Sequence, residues 1–152
     1  MTLLRLLPVA VTLATTACSG SGTRVPPGGP NIGAPYTQWR DKSHDERQGF
    51  MAAHVEPNMK KVFQKFDAKA YANFGCETCH GQDMEFVDFK MPNSLYALPL
   101  KDTIAEATSY DEKTTKFMQE EVLPAFAKLL FEPPVEPGHA GGVSCFTCHP
   151  HE

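Results

Sequence analysis

A mainly α fold, made of two tandem modules that each run from a helix through irregular connections to a cysteine motif, is what the sequence predicts. The first observation behind it is an internal repeat: Phe50-Met51-Ala52-Ala53-His54-Val55-Glu56-Pro57 aligns with Phe117-Met118-Gln119-Glu120-Glu121-Val122-Leu123-Pro124 at an offset of 67, with four identities in eight positions. Upstream, Ser43-His44-Asp45-Glu46-Arg47 matches Ser109-Tyr110-Asp111-Glu112-Lys113 at an offset of 66, which places one inserted residue between the blocks. The second observation is local helix chemistry. Ser43 with Glu46 and Ser109 with Glu112 read as S-x-x-E capping boxes, in which hydroxyl and carboxylate satisfy free backbone donors at a helix start. Third, Met118, Val122, Ala125 and Leu129 recur at helical spacing as one apolar stripe, with Met51, Val55 and Val62 on the equivalent face of the first copy, and no useful alternating strand pattern appears.

Taken in chain order, the 152 residues open with Arg5, an apolar run from Leu6 to Ala14 interrupted by Pro8, and Thr15-Thr16-Ala17-Cys18. This reads as a signal peptide, residues 1–17, too short for a membrane span. Small residues before a cysteine resemble a bacterial lipoprotein processing box, with Thr15 where such boxes usually carry leucine, so Cys18 is expected to be lipidated. Simple cleavage after Ala17 would instead leave an odd, exposed thiol in an oxidising compartment. Residues 18–35, the lipidated cysteine and a Gly/Pro/Ser-rich run without periodicity, form the expected tether. A single small domain, 36–152, follows, with modules at 43–80 and 109–149; by its size it needs help to build a core. Pro57 and Pro124 lie inside the helical runs, so each helix is expected to kink or restart there.

The chemistry resides in Cys76-Glu77-Thr78-Cys79-His80 and Cys145-Phe146-Thr147-Cys148-His149. Each is a C-x-x-C-H, the attachment signature of c-type haem: two thiols three positions apart reach the two vinyl groups of one porphyrin, and the adjoining imidazole lies beneath the iron. Two haem c groups (iron), bonded through Cys76, Cys79, Cys145 and Cys148 with His80 and His149 as proximal ligands, are therefore expected, and both repeats become haem-binding modules. Zinc, dithiol and disulfide readings fit less well. Cys79 and Cys145 are 66 positions apart, far beyond the spacing of a zinc ribbon, and no thioredoxin-like βαβ pattern surrounds Cys76.

On the distal side, His149 is followed only by Pro150, His151 and Glu152, so the second site must draw its ligand from upstream. The repeat nominates Met118, and by symmetry Met51 for the first; thioether ligation raises the reduction potential. Core packing is the alternative role of a methionine on an apolar stripe. Met59 is the main rival at the first site, although its counterpart is Phe126. Met91 lies in a Met-Pro pair but follows His80 by only 11 residues, leaving little chain to wrap a haem. His54, aligned with Glu121, and His139 offer bis-histidine ligation, with solvent-facing roles as the simpler reading. Phe63, Phe66, Tyr71, Phe74, Phe86 and Phe89 crowd the first motif and are expected to wall its haem.

This pattern looks like that of the cytochrome c subunit of photosynthetic reaction centres, whose haem segments place a methionine-bearing helix upstream of C-x-x-C-H; Gly142-Val143-Ser144-Cys145-Phe146-Thr147-Cys148-His149 is the closest local match. The resemblance covers roughly Ser43 to His149, with two sites here where that subunit has four, and with longer Met-to-Cys intervals. It implies the architecture and an electron-transfer role, and not a photosynthetic partner. The expectation is a membrane-tethered electron carrier rather than an enzyme, on the periplasmic side of a bacterial membrane. Ser19 after Cys18 favours the outer membrane if the cell is Gram-negative. A small dihaem reductase or peroxidase with one open iron, or a haem-based sensor, is the alternative. The formal charge of −4 and the lack of a basic run argue against nucleic acid and suggest redox protein partners, donor and acceptor, with a basic docking surface.

Overall fold

Two long helical rods, one from each repeat, dominate the computed structural model, which describes residues 38–152. The expected signal peptide, Cys18 and the tether through residue 35 lie outside the described residues. Within them the chain is mainly helical, with no β-strand and only two isolated bridges, Leu98 with His151 and Pro134 with Val143. No helix among the described residues is long and apolar enough to cross a membrane.

The first rod starts as expected. Ser43 caps α1 (His44–Phe50): its Oγ accepts from the Glu46 N–H at 3.3 Å, and Glu46 Oε2 accepts from the Ser43 N–H at 2.8 Å. A π-helical turn, Met51–Val55, then joins α1 to α2 (Glu56–Phe66), the Glu56 N–H bonding back to the Met51 carbonyl. Pro57 explains the turn. Its ring would collide with the carbonyl four residues back and it has no N–H to donate, so a locally wider turn frees the space without breaking the rod. The expected kink or restart is thus a π turn.

In the second rod the same turn recurs at Met118–Val122, between α5 (Glu112–Phe117) and α6 (Leu123–Leu130), and Pro124 lies at the same offset from it. Its start departs from expectation. Ser109 does not cap this rod: it lies in the last turn of a preceding helix, α4 (Thr103–Tyr110), where its Oγ donates to the Glu106 carbonyl at 2.8 Å. Asp111, in extended conformation, closes α4 and caps α5, accepting the Thr114 N–H at 2.9 Å. An aspartate at the break is at least as good a cap as serine, so the boundary moves two residues along and the rod begins with one residue fewer than α1.

The π turns also rephase the apolar stripe. Phe50, Val55, Met59 and Phe63 are the buried positions of the first rod, and Phe117, Ala127 and Leu130 those of the second, with Val122 packed against them. Across each π turn the buried face advances by five residues, Phe50 to Val55 and Phe117 to Val122, because that turn holds one residue more than an α turn. Met51 and Met118, expected to head the stripe, flank it half-buried.

The rods pack antiparallel around one shared core. Phe66, near the end of α2, stacks on Phe117 with ring centroids 4.0 Å apart, and Phe63 meets Phe117 edge-on at 5.2 Å. Arg40, before α1, pairs with Glu132, after α6, at 3.1 Å. Reciprocally, α2 touches the 118–122 turn and α6 touches the 51–55 turn.

Candidate covalent haem sites

Both cysteine motifs fold as short helices, α3 (Cys76–His80) and α7 (Cys145–Cys148), preceded by extended residues, Gly75 and Ser144. The threonine common to the two motifs caps both: Thr78 Oγ1 accepts the Gly75 N–H at 3.2 Å, and Thr147 Oγ1 accepts the Ser144 N–H at 3.0 Å. The main chain closes alike, Thr78 N–H to Gly75 O and Thr147 N–H to Ser144 O, each at 3.0 Å. A helical turn sets residues three apart on neighbouring faces, so each pair of thiols is presented from one short segment.

The four cysteines of the two motifs are free thiols. Burial pushes Cys79 up to about 12, with the nearby Cys148 and Cys76 adding to it, and pushes Cys148 up to about 11, with Cys145 adding. Burial also raises Cys76, where the Glu56 carboxylate contributes next, and Cys145. Among the described residues, moreover, no three His, Cys, Asp or Glu side chains converge on a bare-metal site.

The two imidazoles differ in setting. His149 Nδ1 lies 2.8 Å from the Tyr96 carbonyl. A carbonyl can only accept, so the proton sits on Nδ1 and the Nε2 lone pair is left for a metal, the usual orientation of a ligating histidine. His80 stands edge-on to Phe89 at 5.7 Å, with Nδ1 buried and without a hydrogen-bond partner. Its burial lowers the pKa below the ordinary histidine value, the Phe89 main chain offsetting part of this, and so favours the neutral, ligating form. Behind His80, Gly81 turns the chain at φ +80°, where an added Cβ would also collide with Ser94 Oγ. The Tyr96 carbonyl was not legible beforehand, since every residue has one.

The candidate distal ligands separate by position. Met51 and Met118 each open a π turn, half-buried beside the core. Glu56 joins the first of these turns to the first motif: its N–H bonds the Met51 carbonyl, and its carboxylate lies 3.8 Å from the Cys76 sulfur. Met59 is 2% exposed and packed within the core. His54 is exposed, its ring against Phe50, and His139 is exposed in a loop after α6. Met91 is half-buried in the loop after α3. The aromatic wall is partial. Phe63 packs on both Tyr71 and Phe74, Phe66 joins the rods and Phe89 reaches His80, whereas Phe86 faces solvent at 94% exposure. Comparison with protein-family profiles, curated proteins and solved structures finds no match.

Proposed function

We propose that the chain is an exported, membrane-tethered dihaem c-type cytochrome that carries single electrons between redox protein partners. One haem is bonded to Cys76 and Cys79 and the other to Cys145 and Cys148, with His80 and His149 as proximal ligands and Met51 and Met118 as distal ones. The observation that carries this reading is the matched pair of short helices, each with its threonine cap, two free thiols and an imidazole next in sequence. The donor set fits the group. Two free thiols to a motif suit thioether bonds to one porphyrin, and an imidazole with Nδ1 tied to a carbonyl, as at His149, suits iron at Nε2.

When bound, haem iron supplies the one-electron chemistry. The chain's own part is to set ligand basicity through the Tyr96 carbonyl and to exclude water with Phe74 and Phe89. Met51 and Met118 open the two π turns at the edge of the packed face, partly buried against the core, and are the matched thioethers the repeat offers. Two filled axial positions leave no room for substrate, which favours a carrier over a reductase. The lipid on Cys18 holds the domain to the membrane on the periplasmic side, and the acidic charge, increased by haem propionates, suits a donor and acceptor with basic docking surfaces.

Expression with its own leader in a host competent in cytochrome maturation tests this. The expected product has a mass two haems above the lipidated polypeptide, falling to one in the Cys145→Ser/Cys148→Ser variant, and its reduced form does not bind carbon monoxide. A product weighing only polypeptide plus lipid overturns the reading. Carbon monoxide binding at one iron would turn it toward a reductase or a sensor.

A further inference from the structure

One short segment, residues 93–100, touches both motifs. Asn93 Nδ2 donates to the His80 carbonyl at 2.8 Å and to Asp83 Oδ1 at 3.0 Å, and Ser94 Oγ donates to the same carboxylate oxygen at 2.6 Å. Three residues on, the Tyr96 carbonyl receives His149 Nδ1–H. The Leu98 N–H then bonds the Pro150 carbonyl at 2.8 Å, while the Glu152 N–H and carbonyl pair with Leu98 and Leu100 at 3.2 Å. The ring of Tyr96 stacks on Tyr110 of α4 at 5.4 Å, which fixes the middle of the segment. Three extended residues span about 10 Å at most, so with the hydrogen bonds at either end His80 and His149 are held within roughly 20 Å of one another.

We propose that Asn93 and the Tyr96 main chain form a positioning bridge that joins the two sites into one redox unit, so that a change made at the first site is felt at the second. This rests on the dihaem reading. Two consequences follow from the geometry. The His149 hydrogen bond, which tunes how strongly that imidazole donates, is made by a segment whose other end is anchored on His80. In addition, a unit charge gained at one site would act on the other across no more than about 20 Å, which at an effective dielectric near 20 disfavours the second oxidation by roughly fourfold or more.

The test is a spectroscopically monitored redox titration of the haem-loaded protein, as wild type, Asn93→Ala and Tyr110→Ala, with Thr108→Ala as a control whose hydroxyl only bonds back within α4. Asn93 touches the first motif alone, so its removal is expected to shift the oxidation equilibrium of both sites by about twofold or more. Tyr110→Ala, which frees the Tyr96 ring, is expected to do the same, and the control to shift neither. A shift confined to the first site in Asn93→Ala, or no shift, overturns the proposal. If Asn93→Ala fails to mature, Ser94→Ala loosens the same loop without touching His80 and is judged by the same criterion. Two haems in the wild type with uncoupled variants defeats this inference alone, whereas a wild type without haem defeats the functional reading.

Discussion

Single side chains divide between packing and, on the proposed dihaem reading, ligation. Met59 lies in the core and Met51 beside it, so truncation separates the roles. Met59→Ala is expected to cost about 2–5 kcal/mol of unfolding free energy and to leave the haem spectra unchanged. Met51→Ala and Met118→Ala are expected each to abolish the near-infrared methionine-to-iron band of one site. Equilibrium denaturation with near-infrared spectra checks all three, and intact bands in both latter variants would remove these methionines as ligands. Thr78 and Thr147 are acceptors for main-chain donors that have few other partners, so Thr→Val at either position is expected to cost about 0.5–2 kcal/mol, read as a lowered denaturation midpoint. The capping carboxylate of Glu46 is held below its ordinary value by hydrogen bonds from the Ser43 main chain and side chain. Its contribution is therefore complete above the ordinary carboxylate range and lost as pH falls through the lower, folded value. Thermal midpoints measured on acidification should fall more steeply for wild type than for Glu46→Gln, which keeps an acceptor but cannot titrate. Equal slopes would show that the cap carries no acid sensitivity.

At the scale of elements, the repeat is visible in sequence and its geometry is not. The shared Phe-Met-(x)3-Val-x-Pro pattern announces two equivalent helices, and both appear with the proline at the same place. What the pattern conceals is the π turn before each proline, because a 3.6-residue period assumes an unbroken ladder. The true buried face steps by five at that point, so a reading by regular period begins the stripe at methionine instead of phenylalanine. The second cap was misplaced for a related reason: Ser109 and Glu112 satisfy the S-x-x-E pattern, but α4 runs through Ser109 and Asp111 supplies the break. Immediately after the first attachment helix, Gly81 occupies a backbone region almost closed to other residues and faces Ser94. Gly81→Ala is expected to cost about 1–3 kcal/mol, seen in urea melts, with a smaller yield of haem at the first site than at the second. Equal loss at both sites would show that the turn does not act locally.

Among the described residues, the two modules share one core. Phe117 of the second rod lies between Phe63 and Phe66 of the first, so Phe117→Ala is expected to cost about 3–5 kcal/mol and to lower the stability of both modules together. A single transition, coincident by helical signal and by the absorption of each haem, checks this; two separated transitions would mean that the modules fold independently. The Arg40 to Glu132 pair, a largely exposed guanidinium on a carboxylate whose side chain is only 9% exposed, closes the antiparallel arrangement. By itself the sequence determined the helical class, the duplication and the two C-x-x-C-H motifs on which the proposed haem attachment rests, because each is written in contiguous residues whose chemistry acts over a turn or less. Only the tertiary structure decided which carbonyl orients His149, that Asn93 and Tyr96 bring the motifs together, and which aromatic rings face the core rather than solvent. Those are contacts between distant segments, several of them through main-chain atoms that are the same in every residue, and no side-chain pattern marks them.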